Sequence, residues 1–121
     1  MSGTQPSRPD PALEAFLDHL LAVRNLSPRT LDAYRRDLTS LEAFARTTGR
    51  SLSGLSEQDI EGWLRAERAA GRAASTRARR LAAARSFFRF LREEGSRGDD
   101  PTRTVDGPRP RRPLPRVLPP E

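Results

Sequence analysis

Between Arg68 and Arg92 the chain carries eight arginines and not one aspartate or glutamate. Guanidinium groups crowded along one stretch without acids suit a polyanion. Each planar fork can donate two parallel hydrogen bonds, to a phosphate or to guanine O6 and N7. All 22 basic residues are arginine, a bias that a GC-rich genome produces by itself, so placement carries more weight than number. From Pro101 to Glu121 five arginines face only Asp106 and Glu121, while the other nine stand against fourteen acids. The net charge of +6 is therefore concentrated in two segments, as a surface facing a polyanion requires.

Side chains that could break bonds are few and scattered. His19 is the only histidine and lies beside Asp18 in an amphipathic stretch, a surface or boundary position. Tyr34, the only tyrosine, falls on an apolar stripe, where a ring packs. Asp99-Asp100-Pro101 reads as a helix-start signal and not as a metal site. There is no cysteine, which excludes disulfides and thiolate metal sites. No glycine-rich phosphate loop follows a strand. We expect no catalytic residues, no metal, no cofactor and no small-molecule ligand.

The elements that must position the arginines are helical. Asp10-Pro11 is an N-cap followed by proline at the first helical position. Leu13, Phe16, Leu17, Leu20 and Leu21 then recur at the spacing of one helical face, to about Val23. Ser27-Pro28 restarts a second helix, with Leu31, Tyr34, Leu38, Leu41, Phe44 and Ala45 on one stripe and Gly49 as its stop. A third begins at the capping box Ser56 to Asp59, buries Ile60, Trp63 and Leu64, and closes at Gly71. Ser75 is the expected N-cap of a fourth, with core face Leu81, Ala84, Phe87, Phe88 and Leu91 and an end at Gly95. No strand pattern is present. The prediction is an all-α, compact four-helix domain over residues 10–100, after a disordered N-terminus (1–9) and before a proline- and arginine-rich extended linker (101–121).

With the fourth helix's core face inward, Ser75, Arg79, Ala82, Ala83 and Ser86 fall on the outside, flanked by Arg72, Arg80, Arg85 and Arg89. Small residues let a backbone approach closely, and hydroxyls and a helix N-terminus, here Ser75-Thr76, hold phosphate. Arg79 and Arg80 are expected to project together, unopposed by carboxylates. The second helix repeats the pattern with Arg29, Thr30, Ala33, Arg36 and Ser40, weakened by Asp32 and Asp37. Phe90 points away from the core stripe, so it is covered by the linker or used in a protein contact.

The run from Asn25 through Ser27-Pro28-Arg29-Thr30 and Tyr34-Arg35-Arg36-Asp37-Leu38 resembles the second helix of the N-terminal core-binding domain of Xer-type tyrosine recombinases. Thr76 to Leu81 and Arg85 to Leu91 resemble that domain's fourth helix, and Asp100-Pro101 with Leu114 to Leu118 resembles its exit. The resemblance covers about residues 12–118. It implies a SAM-like fold forming one half of a clamp around a recombination half-site, with the second and fourth helices facing the major groove of double-stranded DNA. By that likeness the DNA-facing residues are Arg29, Thr30, Ala33, Arg36, Ser75, Thr76, Arg79 and Arg80. Other recombinase protomers are the implied protein partners. The family's catalytic constellation and tyrosine nucleophile belong to a C-terminal domain, which the resemblance places after this chain, and Tyr34 matches a core position instead. The competing reading is a helical protein–protein adaptor without DNA binding, docking through Phe90 and the proline-arginine tail. The longest aliphatic run, Leu20 to Val23, is too short to span a bilayer, and no secretory signal precedes it, so a cytoplasmic, membrane-free protein is expected.

Overall fold

The computed structural model describes residues 10–108. The expectations for residues 1–9 and for Leu114 to Leu118 lie outside that range. Four helices follow in order: α1 (Pro11–Val23), α2 (Pro28–Thr48), α3 (Glu57–Ala69) and α4 (Ala74–Glu93), with a short 3-10 turn at Leu52–Gly54 before α3. Among the described residues there is no strand, and no helix is long and apolar enough to cross a membrane.

Local chemistry sets most boundaries. The Asp10 carboxylate accepts from the Ala12 amide at 2.8 Å, ahead of Pro11 in the first turn. Ser27 Oγ accepts from the Thr30 amide at 3.2 Å. Ser56 and Asp59 form the reciprocal capping box, with bonds of 3.1 and 2.8 Å. Gly49 ends α2 at φ 79°, a left-handed conformation that costs glycine nothing. Replacing Ser56 by alanine should remove about 1 kcal/mol of stability. The expected readout is a lower urea midpoint with an unchanged m-value; an unmoved midpoint would show that the box contributes nothing.

One start differs from expectation. Helix α4 begins at Ala74 with Ala73 as its N-cap and no side-chain capping bond, so Ser75 lies inside the first turn. Ser75 has the right chemistry for a cap, but after the left-handed Gly71 (φ 84°) the chain enters helical geometry two residues early.

Helix α4 packs on α1, α2 and α3, as α2 packs on the other three helices. Phe87, Phe88, Leu81, Ala84 and Leu91 are buried as predicted. So are Ala83 and Phe90, which the single-stripe reading places outside. The reason is geometric: a helix enclosed on several sides has a wider apolar face than a surface helix. Phe90 is 9% exposed and is covered by α1, with its ring 5.4 Å from Phe16 and 4.9 Å from His19. It offers no docking surface.

The exit differs too. Residues 101–104 form a turn, and Pro101, Thr102 and Val105 are buried. The Asp100 carboxylate accepts from the Thr102 amide and hydroxyl at 2.8 and 2.6 Å, while Arg85 Nη2 donates to the Val105 carbonyl. Up to Val105 the chain thus packs on the domain, where the sequence predicts an extended linker from 101 on. Arg97 secures the neighbouring corner, donating to the Ser53 and Leu55 carbonyls at 3.0 and 2.7 Å and to Asp99. That bond holds the Asp99 carboxyl below its ordinary value.

Candidate nucleic-acid interface

Helices α2 and α4 share the most extensive contact in the bundle. Side by side, they form a cleft of about 230 Å³ whose walls include Thr30, Ala33 and Tyr34 from α2 and Arg79, Ala82 and Ser86 from α4. A wider basin of about 520 Å³ adjoins it, and Arg36, Ser40, Glu67, Arg72 and Arg80 line it. Of the eight predicted residues, the first cleft gathers Thr30, Ala33 and Arg79, and the basin gathers Arg36 and Arg80. Arg29 and Ser75 are exposed, and Thr76 is half-buried. Ser75 and Thr76 line neither cavity; they sit in the first turn of α4, where the uncapped amides lie.

Arg79 and Arg80 do not project together unopposed, as the charge pattern predicts. Both are ion-paired. Asp37, read from sequence as weakening the outer face of α2, is turned inward and 3% exposed. Its carboxylate takes hydrogen bonds from Arg79 Nε at 3.0 Å and Nη2 at 2.7 Å, and Arg80 Nε lies 3.7 Å away. Arg80 Nη1 also donates to Glu67 Oε1 and, at 3.1 Å, to Ser40 Oγ. Ser40 accepts from Trp63 Nε1 at 3.3 Å and bonds to Glu67 Oε2 at the same distance. The network runs from α2 through α3 to α4.

The two arginines nevertheless differ. The Arg80 side chain is only 14% exposed, enclosed between two buried carboxylates, and it acts as a staple within the fold. That enclosure leaves Arg80 little surface to offer DNA, in contrast to the exposed position its place in the sequence implies. The Arg79 side chain is 53% exposed. Asp37 uses one edge of its guanidinium and holds the group more firmly protonated than an ordinary arginine. Asp37 and Glu67 are residues that sequence reasoning misses. Their partners lie 42 and 13 positions away, and neither spacing leaves a mark on a helical period.

Electrostatically, the seam hides its acids and presents its bases. Asp37 and Glu67 are buried under Arg79, Arg80 and, at 3.7 Å from Glu67, Arg72. Small side chains and hydroxyls lie beside the exposed guanidinium, an arrangement able to admit the edge of a base or a phosphate. Among the described residues no group of three or more His, Cys, Asp or Glu is placed to hold a metal ion.

Residues 13–95 match the family described as phage integrase, N-terminal SAM-like domain. The chain is 41% identical over 119 residues to tyrosine recombinase XerD of Agrobacterium fabrum, covering 98% of this chain and 36% of that protein. It is 42% identical over 106 residues to tyrosine recombinase XerD of Rhizobium meliloti, covering 88% and 34%. The chain thus spans about a third of the length of these curated relatives. The integrase from mycobacterium phage Brujita has a similar fold, with a TM-score of 0.73 at 24% identity over 88% of this chain and 35% of that one.

Proposed function

This chain belongs to the phage integrase N-terminal SAM-like domain family, and from that membership we propose that it binds double-stranded DNA, laying α2 and α4 against the major groove of a recombination half-site. In this reading it is the non-catalytic grip of a cytoplasmic site-specific tyrosine recombinase. Strand cleavage falls to residues outside this chain, and other protomers are its partners on the DNA. One observation carries the proposal: the carboxylates of Asp37 and Glu67 are buried beneath Arg79, Arg80 and Arg72, and Arg79, paired to Asp37 along one edge, stays about half exposed over the cleft. Arg29 and Arg36, which form no ion pair among the described residues, extend the positive surface along α2. They suit phosphates; Thr30, Ala33, Ser86 and Arg79 suit base edges.

Affinity for duplex should then be mostly electrostatic. With about 4–6 phosphates neutralised, log K falls against log[salt] with a slope of roughly −4 to −5. Arg29→Ala with Arg36→Ala should lower the slope by about 2 and weaken all sequences alike. Titration of a fluorescent duplex at several salt concentrations measures both. Absence of duplex binding at low salt, or binding indifferent to salt, would overturn the proposal.

The uncapped start of α4 supplies a second check. The first amides of a helix attract phosphate when no side chain satisfies them. Ala73→Asp should cap them, raising stability by about 1 kcal/mol while weakening duplex binding, because a carboxylate then occupies the place of the phosphate. Stabilisation with affinity unchanged would show that this turn does not face the DNA.

A further inference from the structure

We propose that Asp37 is a positioning residue that aims Arg79 at a guanine, so that the α2–α4 cleft specifies a G·C pair at one place in the half-site. The inference rests on the duplex-binding reading above and names what that site recognises.

A guanidinium has five N–H donors in a rigid plane. Asp37 engages Nε and Nη2, the two groups along one edge of Arg79. The end formed by Nη1 and the second hydrogen of Nη2 is left with two parallel donors, the pattern that fits guanine O6 and N7 in the major groove. Asp37 can hold this orientation because it is itself held. It sits in the middle of α2, its side chain is 4% exposed, and Arg80 Nε lies 3.7 Å from its Oδ1.

The difference in exposure separates reading from stapling. Arg80 already ties α2 to α3 and α4 from within. A second arginine on the same carboxylate, more than half exposed, adds little to that tie. It does present a fixed fork to solvent. Holding the rotamer in advance removes the ordering cost that a free arginine incurs on binding. A phosphate contact has no need of such aim, since a mobile cation serves equally well. Next to the fork the cleft is lined by Ala33, Ala82 and Ser86, side chains short enough to let a base edge come within hydrogen-bonding distance.

The test is selection of duplexes from a randomised pool by this chain, followed by affinity measurements on single-base variants of the selected site. The proteins compared are the unaltered chain, Arg79→Lys and Asp37→Asn. The expected result is one position where guanine is preferred by roughly tenfold or more. Arg79→Lys keeps the charge and loses the fork, so it should flatten that preference while leaving other positions and the salt slope unchanged. Asp37→Asn should weaken the same preference, provided circular dichroism shows it folded; if it does not fold, Arg79→Lys decides. A guanine preference that survives Arg79→Lys overturns the proposal, as does a uniform loss of affinity with no position singled out. A folded Asp37→Asn that reads guanine undiminished removes Asp37 from the role. Duplex binding without any selected guanine sinks this inference alone, whereas no duplex binding at all sinks the underlying reading as well.

Discussion

Replacing Arg80 by alanine should destabilise the domain by about 3–5 kcal/mol, whereas Arg79→Ala should cost about 1–2 kcal/mol. The two residues are adjacent in sequence and touch the same carboxylate, so any difference comes from their surroundings. Arg80 is enclosed, with Glu67 and Asp37 on either side and Ser40 as a further partner. Its removal leaves Glu67 buried with only Arg72 at 3.7 Å and a hydroxyl for company, and an uncompensated buried charge is expensive. Removal of Arg79 vacates an exposed position, and water can reach Asp37 through the gap. Urea denaturation of the two variants in parallel measures the contrast. Equal losses, or a larger loss at Arg79, would mean that the network is not divided into an inner staple and an outer fork. The same pair of variants separates stability from binding: Arg79→Ala should fold and lose duplex affinity, a combination Arg80→Ala should not show.

The second large effect is expected in the core. Phe16 on α1 is nearly sealed from water and meets three aromatic rings, with centroids 5.8 Å away at Tyr34, 5.6 Å at Phe87 and 5.4 Å at Phe90. Two of these contacts are edge-to-face, an arrangement that contributes beyond buried area. Phe16→Ala removes a ring at the junction of α1, α2 and α4, and helix ends fixed on several sides cannot collapse into the space. A loss of about 3–5 kcal/mol follows, and for a domain of this size a fall in Tm of at least about 12 °C. Leu21→Ala on the same helix is the control. Leu21 is exposed, so its truncation should stay within about 0.5 kcal/mol. A thermal melt of Phe16→Ala close to that of the control would show that α1 is a peripheral strap and not part of the core.

Much of the domain was legible before any coordinates. Proline at the first turn of α1 and α2, the Ser56–Asp59 box and the glycines after α2 and α3 are signals read over a few residues, because capping depends only on neighbours in the chain. The stripes of α1, α2 and α3 were legible for a similar reason, since one main buried face imposes one period, although Leu21, read onto the face of α1, is exposed beside the buried Leu20. The concentration of arginine between Arg68 and Arg92, and the family likeness carried by Ser27 to Leu38 and Thr76 to Leu91, were likewise properties of the string itself.

Tertiary structure decided what the arginines do. Whether Arg79 or Arg80 meets solvent depends on where Asp37 and Glu67 arrive, and those acids come from other helices, far along the chain. Charge along one segment counts residues, while pairing across helices depends on side chains meeting in space; the first is written in sequence and the second is not. Phe90 and Ala83 belong to the same class, whereas the turn at 101–104 starts at the signal that Asp99-Asp100-Pro101 gives locally. Each of those two residues is buried by an element distant in sequence, so no local period could announce it. The amino-acid order determined the helices and the sign of their surface, and packing determined which guanidinium groups remain free to use it.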